Sequence, residues 1–303
     1  MAGKAKILFL QSRPWSFSMT AISVILGALT VLLQPSFNWF YFILVLIGMV
    51  LVHAATNVIN DYFDVKNGVD KPDSPTAQYR PHFLLDGTLT LKQALRFALI
   101  LYAVAAAIGI YLTVMRGWII LVFAGTGGLF SFFYAGGPVR YKYKALGELA
   151  VFLMWGPLML IASMYAASGT WDALSRVLLL SVPQGLWVTL VILANNLKDV
   201  DYDSRVGVST AGTVLGRKYA FWLYLSLVVI IFAVTILEIP LKAIPIWGLS
   251  TFAVVPLTVK LLLELGRSEK VPPDADPKTA RIGMFYGILL ILSIVIDEIL
   301  LII

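Results

Sequence analysis

The chain has 303 residues, of which 59% are apolar and only 13% charged, with a mean hydropathy of +0.87. That is about half the charge of a soluble domain, which excludes a water-soluble enzyme, a disordered tail and an ordinary nucleic-acid binder, despite a net charge of +6. With no cysteine, disulfides, thiolate nucleophiles and iron–sulfur clusters are excluded, and two histidines, His53 and His82, are too few for a histidine-built zinc or iron site.

Crossing a hydrocarbon core of about 30 Å takes about 20 mostly apolar helical residues. Nine such stretches are predicted, at 16–34, 38–58, 92–113, 118–134, 146–168, 174–197, 217–237, 244–265 and 280–302, so residues 1–303 read as one all-α transmembrane domain. The first stretch is not a cleavable leader, because its apolar run is long and no small-x-small site closes it. Nine crossings put the N-terminus and the loops after helices 2, 4, 6 and 8 on one side. Twenty of the 23 Lys and Arg residues fall there, against Arg116, Arg176 and Lys242 opposite. By the positive-inside rule that side is the cytoplasm, and the basic excess faces the anionic headgroups of the bilayer rather than nucleic acid. Thirteen of the 17 acidic residues lie on the same side, which topology does not require, and eight of these fall in 59–91 and 198–216.

The end of the second stretch carries Asn57, Asn60, Asp61 and Asp64 at i, i+3, i+4, i+7, on one helical face, with Asn67-Gly68 as the stop and Asp70 beyond it. The segment 65–91, with Pro72, Pro75, Pro81 and Gly87, is long enough to cover a site as a lid. In the fourth stretch, Gly125, Gly127, Gly128, Phe130, Phe132, Phe133 and Tyr134 read mostly as packing, with a minority able to wall an apolar tunnel. The sixth stretch ends in Asn195, Lys198, Asp199 and Asp203, with the two aspartates four apart.

Carboxylates repelling one another on one face destabilise a helix, and a hard divalent cation removes that repulsion. Mg2+ bound by a few carboxylates is completed by water and substrate phosphate. Two such faces opposed across a cavity can hold a diphosphate through bridging metal ions. Lys66, Arg80, Arg140, Lys142, Lys144, Lys198, Arg205 and, before the first stretch, Arg13 are the cations available to neutralise a departing phosphate. A cation-coupled transporter is the competing class, but both clusters sit at one membrane face and the spans are nearly uncharged inside. A CDP-alcohol phosphotransferase is excluded by the wide separation of Asp64 from the Asp199–Asp203 pair.

Asn60-Asp61-Tyr62-Phe63-Asp64 resembles the N-D-x-x-D opening of the UbiA superfamily of intramembrane prenyltransferases, and Asn195 to Asp203 resembles its second, D-x-x-x-D, motif. The family's usual third aspartate is absent, since Gly68 stands there with Asp70 two residues on. That departure, with Tyr134-Ala-Gly-Gly-Pro138, Lys142 to Glu148, and Gly207 to Thr210, resembles the menaquinone branch, the 1,4-dihydroxy-2-naphthoate prenyltransferases and their animal UbiA-domain relative. The resemblance implies nine helices around a central cavity in the cell membrane, with the active-site loops cytoplasmic. It implies Mg2+ held by Asp61, Asp64, Asp199 and Asp203, with Asn57, Asn60 and Asn195 orienting or supplementing them. An isoprenyl diphosphate would be contacted by Arg80, Tyr134, Lys142 and Lys198, and Asp70 would position the loop or take part in deprotonation. The reaction implied is ionisation to an allylic cation and attack by an aromatic acceptor, naphthoate-type for this branch. The superfamily's other acceptors are 4-hydroxybenzoate, a glyceryl phosphate lipid, a chlorophyll precursor and haem.

Overall fold

The computed structural model describes residues 3–267 and 271–300. Among the described residues every regular element is a helix, and the one extended pairing is an isolated bridge between Lys144 and Ser209. A short helix α1 (Lys4–Gln11) and a 3-10 turn (Pro14–Ser16) lead into α2 (Phe17–Leu29). Then come α3 (Trp39–Lys66), the five-residue α4 (Pro75–Tyr79), α5 (Leu91–Arg116) and α6 (Ile119–Phe133). The second half holds α7 (Gly147–Leu153), α8 (Met159–Ser168), α9 (Leu174–Val206), α10 (Ala211–Glu238), α11 (Val255–Arg267) and α12 (Ala275–Leu300), with a 3-10 segment (Ile246–Val254) before α11.

Seven of the predicted stretches coincide with helices long and apolar enough to cross a membrane: Trp39–Lys66, Leu91–Arg116, Gly147–Ser168, Leu174–Val206, Ala211–Glu238, Ile246–Gly266 and Ala275–Leu300. The other two, 16–34 and 118–134, coincide with the shorter apolar helices Pro14–Leu29 and Ile119–Phe133. The last residues of the final stretch, 301 and 302, lie outside the described residues.

Two departures from regular helix shape the interior. The predicted continuous helix 146–168 is broken by a π-helical turn (Met154–Leu158) between α7 and α8, because Pro157 supplies no backbone N–H and its ring crowds the preceding turn. The turn presses against α9 through two glycines. A Cβ on Gly156 would sit 2.7 Å from the Ser181 carbonyl oxygen and 3.2 Å from the Gly185 Cα, so this crossing admits no side chain on either strand of contact. The second departure is length. α3 and α9 run on past the apolar stretches predicted for them, to Lys66 and Val206, so both aspartate motifs are helical, as their spacing predicts. Gly68, at φ +71°, takes the left-handed conformation that ends the turn after α3.

The main core joins α2, α8, α9, α10 and α12 around Trp187, Tyr286, Leu26, Leu160 and Leu190. A smaller cluster joins α3 to α5 through Val58, Ile59, Ala94 and Ala98. At the end away from the aspartates, Arg116 closes the bundle by donating to the carbonyl oxygens of Ala166 (3.1 Å), Ala167 (2.7 Å) and Ser36 (3.2 Å) while lying 4.6 Å over the Tyr41 ring. The end of α8 thus has a cation on its last carbonyls, and the Ala167 carbonyl oxygen also accepts the Asn38 N–H (2.9 Å). Between the two helical groups lies a cavity of about 770 Å³.

Candidate active site

Asn57, Asn60, Asp64 and Asp70 from one half of the chain line this cavity together with Asn195, Asn196, Asp199 and Asp203 from the other. Tyr134 and Lys142 line it as well, and deeper in its wall is apolar, with Val45, Leu112, Ile120, Met154, Trp155 and Met159. α3 and α9 both run toward the same face, so their aspartate-bearing ends meet at the cavity's polar end.

Lys142 arrives from the segment between α6 and α7. Its backbone N–H donates to the Tyr134 carbonyl oxygen (3.0 Å), and the Ala145 N–H donates to the Ser209 carbonyl oxygen (2.7 Å), pinning the segment to the chain just after α9. The Lys142 ammonium donates to Asp64 Oδ2 (2.6 Å) and Asn60 Oδ1 (2.9 Å). Asn60 Nδ2 donates to Asp64 Oδ2 (2.9 Å), and the Tyr143 hydroxyl donates to Asp64 Oδ1 (2.5 Å). Burial pulls the Lys142 pKa down, but the Asp64 carboxylate outweighs it and holds the ammonium above its ordinary value. Burial pushes the Tyr143 phenol up, so it stays protonated and donating.

Asp199 is different. It is 6% exposed, and its Oδ1 has no hydrogen-bond partner among the described residues. A buried carboxylate oxygen without a donor is costly, and it suits a hard divalent cation. The donor set that the cavity offers such an ion is Asp64, Asp70, Asp199 and Asp203, all oxygen, which is the chemistry of Mg2+ rather than of a softer metal.

The chain matches the UbiA prenyltransferase model over residues 20–289. It belongs to the UbiA prenyltransferase family. As a member of that family it is an enzyme that transfers prenyl groups. It is 28% identical over 300 residues to the UbiA prenyltransferase domain-containing protein 1 homolog of Drosophila melanogaster, covering 96% of this chain and 79% of the relative. It is 24% identical over 295 residues to the 1,4-dihydroxy-2-naphthoate octaprenyltransferase of Bacillus subtilis (strain 168), covering 96% and 93%. The fold is shared with a UbiA homolog from Aeropyrum pernix K1, with a TM-score of 0.69 at 17% identity over 93% of this chain and 98% of that one. It is shared also with a UbiA homolog from Archaeoglobus fulgidus bound to DMAPP and Mg2+, with a TM-score of 0.62 at 14% identity over 94% and 99%.

Within this UbiA fold the predicted site residues do not all converge. Asp61 is 0% exposed and is absent from the cavity wall. Gln11 Nε2 donates to its Oδ2 (2.7 Å), Arg80 Nη2 donates to its Oδ1 (2.8 Å), and Arg13 Nη2 reaches the same oxygen. At about 100° per residue, Asp61 lies about 40° beyond Asn57, at the edge of the face and turned to the N-terminal segment. Arg80 is likewise absent from the wall, while Arg13 lines it. Lys198 is turned away as well, since it is one residue from Asp199 and so about 100° around the helix. Its ammonium donates to Asp276 Oδ1 (2.8 Å) and lies 4.0 Å over the Tyr79 ring. Lys66, Arg140 and Arg205 stay with Tyr62, the Gly137 carbonyl and the Tyr202 ring, outside the cavity wall.

Other members of the site were not singled out by spacing. Tyr143 sits between two lysines that drew attention for charge. His82 Nε2 meets Asp70 Oδ2 at 3.0 Å across twelve residues of irregular chain, where no periodicity operates. Asp61, Asp70 and His82 bring one donor atom each within 4.8 Å of one another, but Arg13 and Arg80 already neutralise Asp61. Asp276 reaches the cavity wall from the first turn of α12, far from either motif.

Proposed function

We propose that this enzyme uses Mg2+ to transfer an isoprenyl group from an isoprenyl diphosphate to a naphthoate-type aromatic acceptor in quinone biosynthesis. The observation that carries the reading is the shared cavity: Asp64 and Asp70 from one half and Asp199 and Asp203 from the other line a single space whose remaining wall is apolar. The Bacillus relative's name supplies the acceptor class, and the Archaeoglobus homolog's DMAPP and Mg2+ supply the donor class and the ion.

Asp64, Asp70, Asp199 and Asp203 would hold the ions, with Asn60 and Asn195 beside them. Mg2+ held there would supply positive charge against the diphosphate leaving group. Lys142, kept an ammonium by Asp64, offsets the same charge from the side, and Arg13 adds a second cation at the rim. Asp61 serves as the counter-ion that holds Arg13 and Arg80, and through them the N-terminal segment and the 67–90 loop, over the polar end. The isoprenyl tail lies along the apolar wall, where Tyr134, Phe130 and Trp155 can shield an allylic cation with their ring faces. Ring attack on the cation, with loss of a proton or carboxyl group, restores aromaticity.

The chain crosses the cell membrane nine times, the short helices at 14–29 and 119–133 included, with its N-terminus and polar cavity end cytoplasmic, as the distribution of Lys and Arg supports. Purified protein incubated with Mg2+, mixed isoprenyl diphosphates and a panel of hydroxylated aromatic acceptors, read by mass spectrometry, tests the reading. It predicts prenylated naphthoate; consumption of another acceptor with dihydroxynaphthoate untouched overturns the acceptor class.

A further inference from the structure

Beneath the carboxylates lies a tier of amides. Asn57 stands seven residues before Asp64 on α3, and Asn196 stands seven before Asp203 on α9. Both helices run toward the same face, so each amide sits about 10 Å deeper than the last aspartate of its motif. Both side chains line the cavity.

The orientation of each amide is fixed by its partner's chemistry. Asn57 Nδ2 donates to the Ser12 carbonyl oxygen (2.9 Å), with a longer contact to Ser16 Oγ (3.2 Å). Asn196 Nδ2 donates to Glu148 Oε1 (2.7 Å), and the same oxygen accepts the Ala211 backbone N–H (3.0 Å). A backbone carbonyl and a carboxylate only accept, so in both residues the NH2 end must face the protein. The carbonyl oxygens are the ends left over, and neither Asn57 Oδ1 nor Asn196 Oδ1 has a protein partner among the described residues or is a fully buried orphan. Asn60, by contrast, is spent at both ends on Asp64 and Lys142. Below its carboxylates the cavity therefore presents two neutral oxygens, on Asn57 and Asn196, whose amide N–H ends are already committed to the protein; the neighbouring Asn195 amide has no such fixed orientation.

We propose that Asn57 and Asn196 form the subsite for the acceptor ring, each amide oxygen taking a hydrogen bond from a ring hydroxyl, with Glu148 as the positioning residue that aims Asn196. This deepens the prenyl-transfer reading and rests on it. A diphosphate held by the aspartate tier puts its reacting carbon one bond further in, at the level where a ring on the two amides would lie. A ring with two O–H donors matches two acceptor-only oxygens, whereas an ether oxygen on either of them places acceptor against acceptor. Neutral amides also leave the hydroxyl its proton while orienting the ring.

The test is binding of 1,4-dihydroxy-2-naphthoate and of its 1,4-dimethyl ether to the full-length detergent-purified protein, with Mg2+ and no isoprenyl donor, followed by tryptophan fluorescence. The unsubstituted protein is expected to prefer the diol by at least about tenfold, the worth of one or two hydrogen bonds. N57L and N196L abolish that preference while the Mg2+ concentration for half-maximal turnover and the donor KM stay within about twofold. E148A frees the Asn196 amide and behaves as N196L. E148Q, whose one carbonyl oxygen can accept both N–H groups, restores the preference. Thr210 caps α10 independently of Glu148, and N57L touches neither, so a folding defect in E148A leaves the test standing. Retention of the diol preference in N57L and N196L overturns the inference, as does a shift in Mg2+ dependence in place of it. If the unsubstituted protein transfers prenyl groups to no hydroxylated ring, the functional reading itself fails; if it does so without diol preference, only the subsite fails.

Discussion

Asp61 and Asp199 are both buried carboxylates in signature motifs, and the structure predicts opposite responses to losing their charge. Asp61 is surrounded by Gln11, Arg13 and Arg80; D61N leaves two guanidiniums without their counter-charge. Removing one partner of a buried ion pair costs about 3–5 kcal/mol, and Arg13, about a quarter exposed in its side chain, puts the loss toward the lower figure. Asp199 has an oxygen with no partner, a burden of about 1–3 kcal/mol, so D199N keeps the shape, removes the charge and leaves the metal-free protein at least as stable as before. The assay is thermal unfolding in detergent, in EDTA and then in Mg2+. D61N unfolds at a clearly lower temperature in both media. D199N matches or exceeds the parent in EDTA but lacks its gain in Mg2+, which is about 2.7 kcal/mol at a hundredfold excess over the dissociation constant. If D199N is as unstable as D61N in EDTA, or is stabilised by Mg2+ as the parent is, the division of labour between the two aspartates is wrong.

D64A and D203A each lower Mg2+-dependent prenyl transfer by at least about a thousandfold, the scale of losing charge stabilisation at a leaving group, measured by product formation at saturating donor. K142M lowers kcat by about a hundredfold, measured in the same way. Because the Lys142 pKa is raised, the stabilisation it draws from Asp64 is complete below about pH 10, the unfolded value, and fades only above that. The Lys142 ammonium therefore adds no pH dependence to unfolding of the parent between pH 6 and 9, and a lysine found to titrate inside that window by 15N NMR contradicts the pairing. G185A puts a Cβ 2.9 Å from the Phe152 carbonyl oxygen and lowers stability by about 1–3 kcal/mol; an unchanged unfolding temperature shows the α9 crossing to be looser than described.

The helical architecture was legible because a bilayer dictates the length of an apolar stretch, and the long spans follow it. Gly156-Pro157 was visible in the sequence, yet a span judged by apolar length averages over such a pair, so the break that Pro157 makes between α7 and α8 and its packing on Gly185 were not foreseen. Helical spacing brought Asp64, Asp199 and Asp203 to one cavity, since i, i+4 and i, i+7 hold on any helix. It failed for Asp61 and Lys198 for the same geometric reason: a face has edges, and which way an edge residue turns depends on neighbours remote in sequence. For Asp61 those are Gln11 and Arg13, about fifty residues earlier; for Lys198 they are Tyr79 and Asp276. The His82–Asp70 and Glu148–Asn196 contacts likewise join irregular or distant segments, for which no periodicity exists.

The proposed chemistry needs divalent ions between the aspartate-bearing ends of α3 and α9. Anomalous diffraction from crystals grown with Mn2+ and a non-hydrolysable isoprenyl diphosphate locates them directly. Peaks are expected within about 2.5 Å of carboxylate oxygens from both Asp64 and Asp199, with Asp61 still on Arg13 and Arg80. Peaks at Asp61 and His82 alone, or a diphosphate held by Lys142 and Arg13 with no ion between the helices, would contradict it.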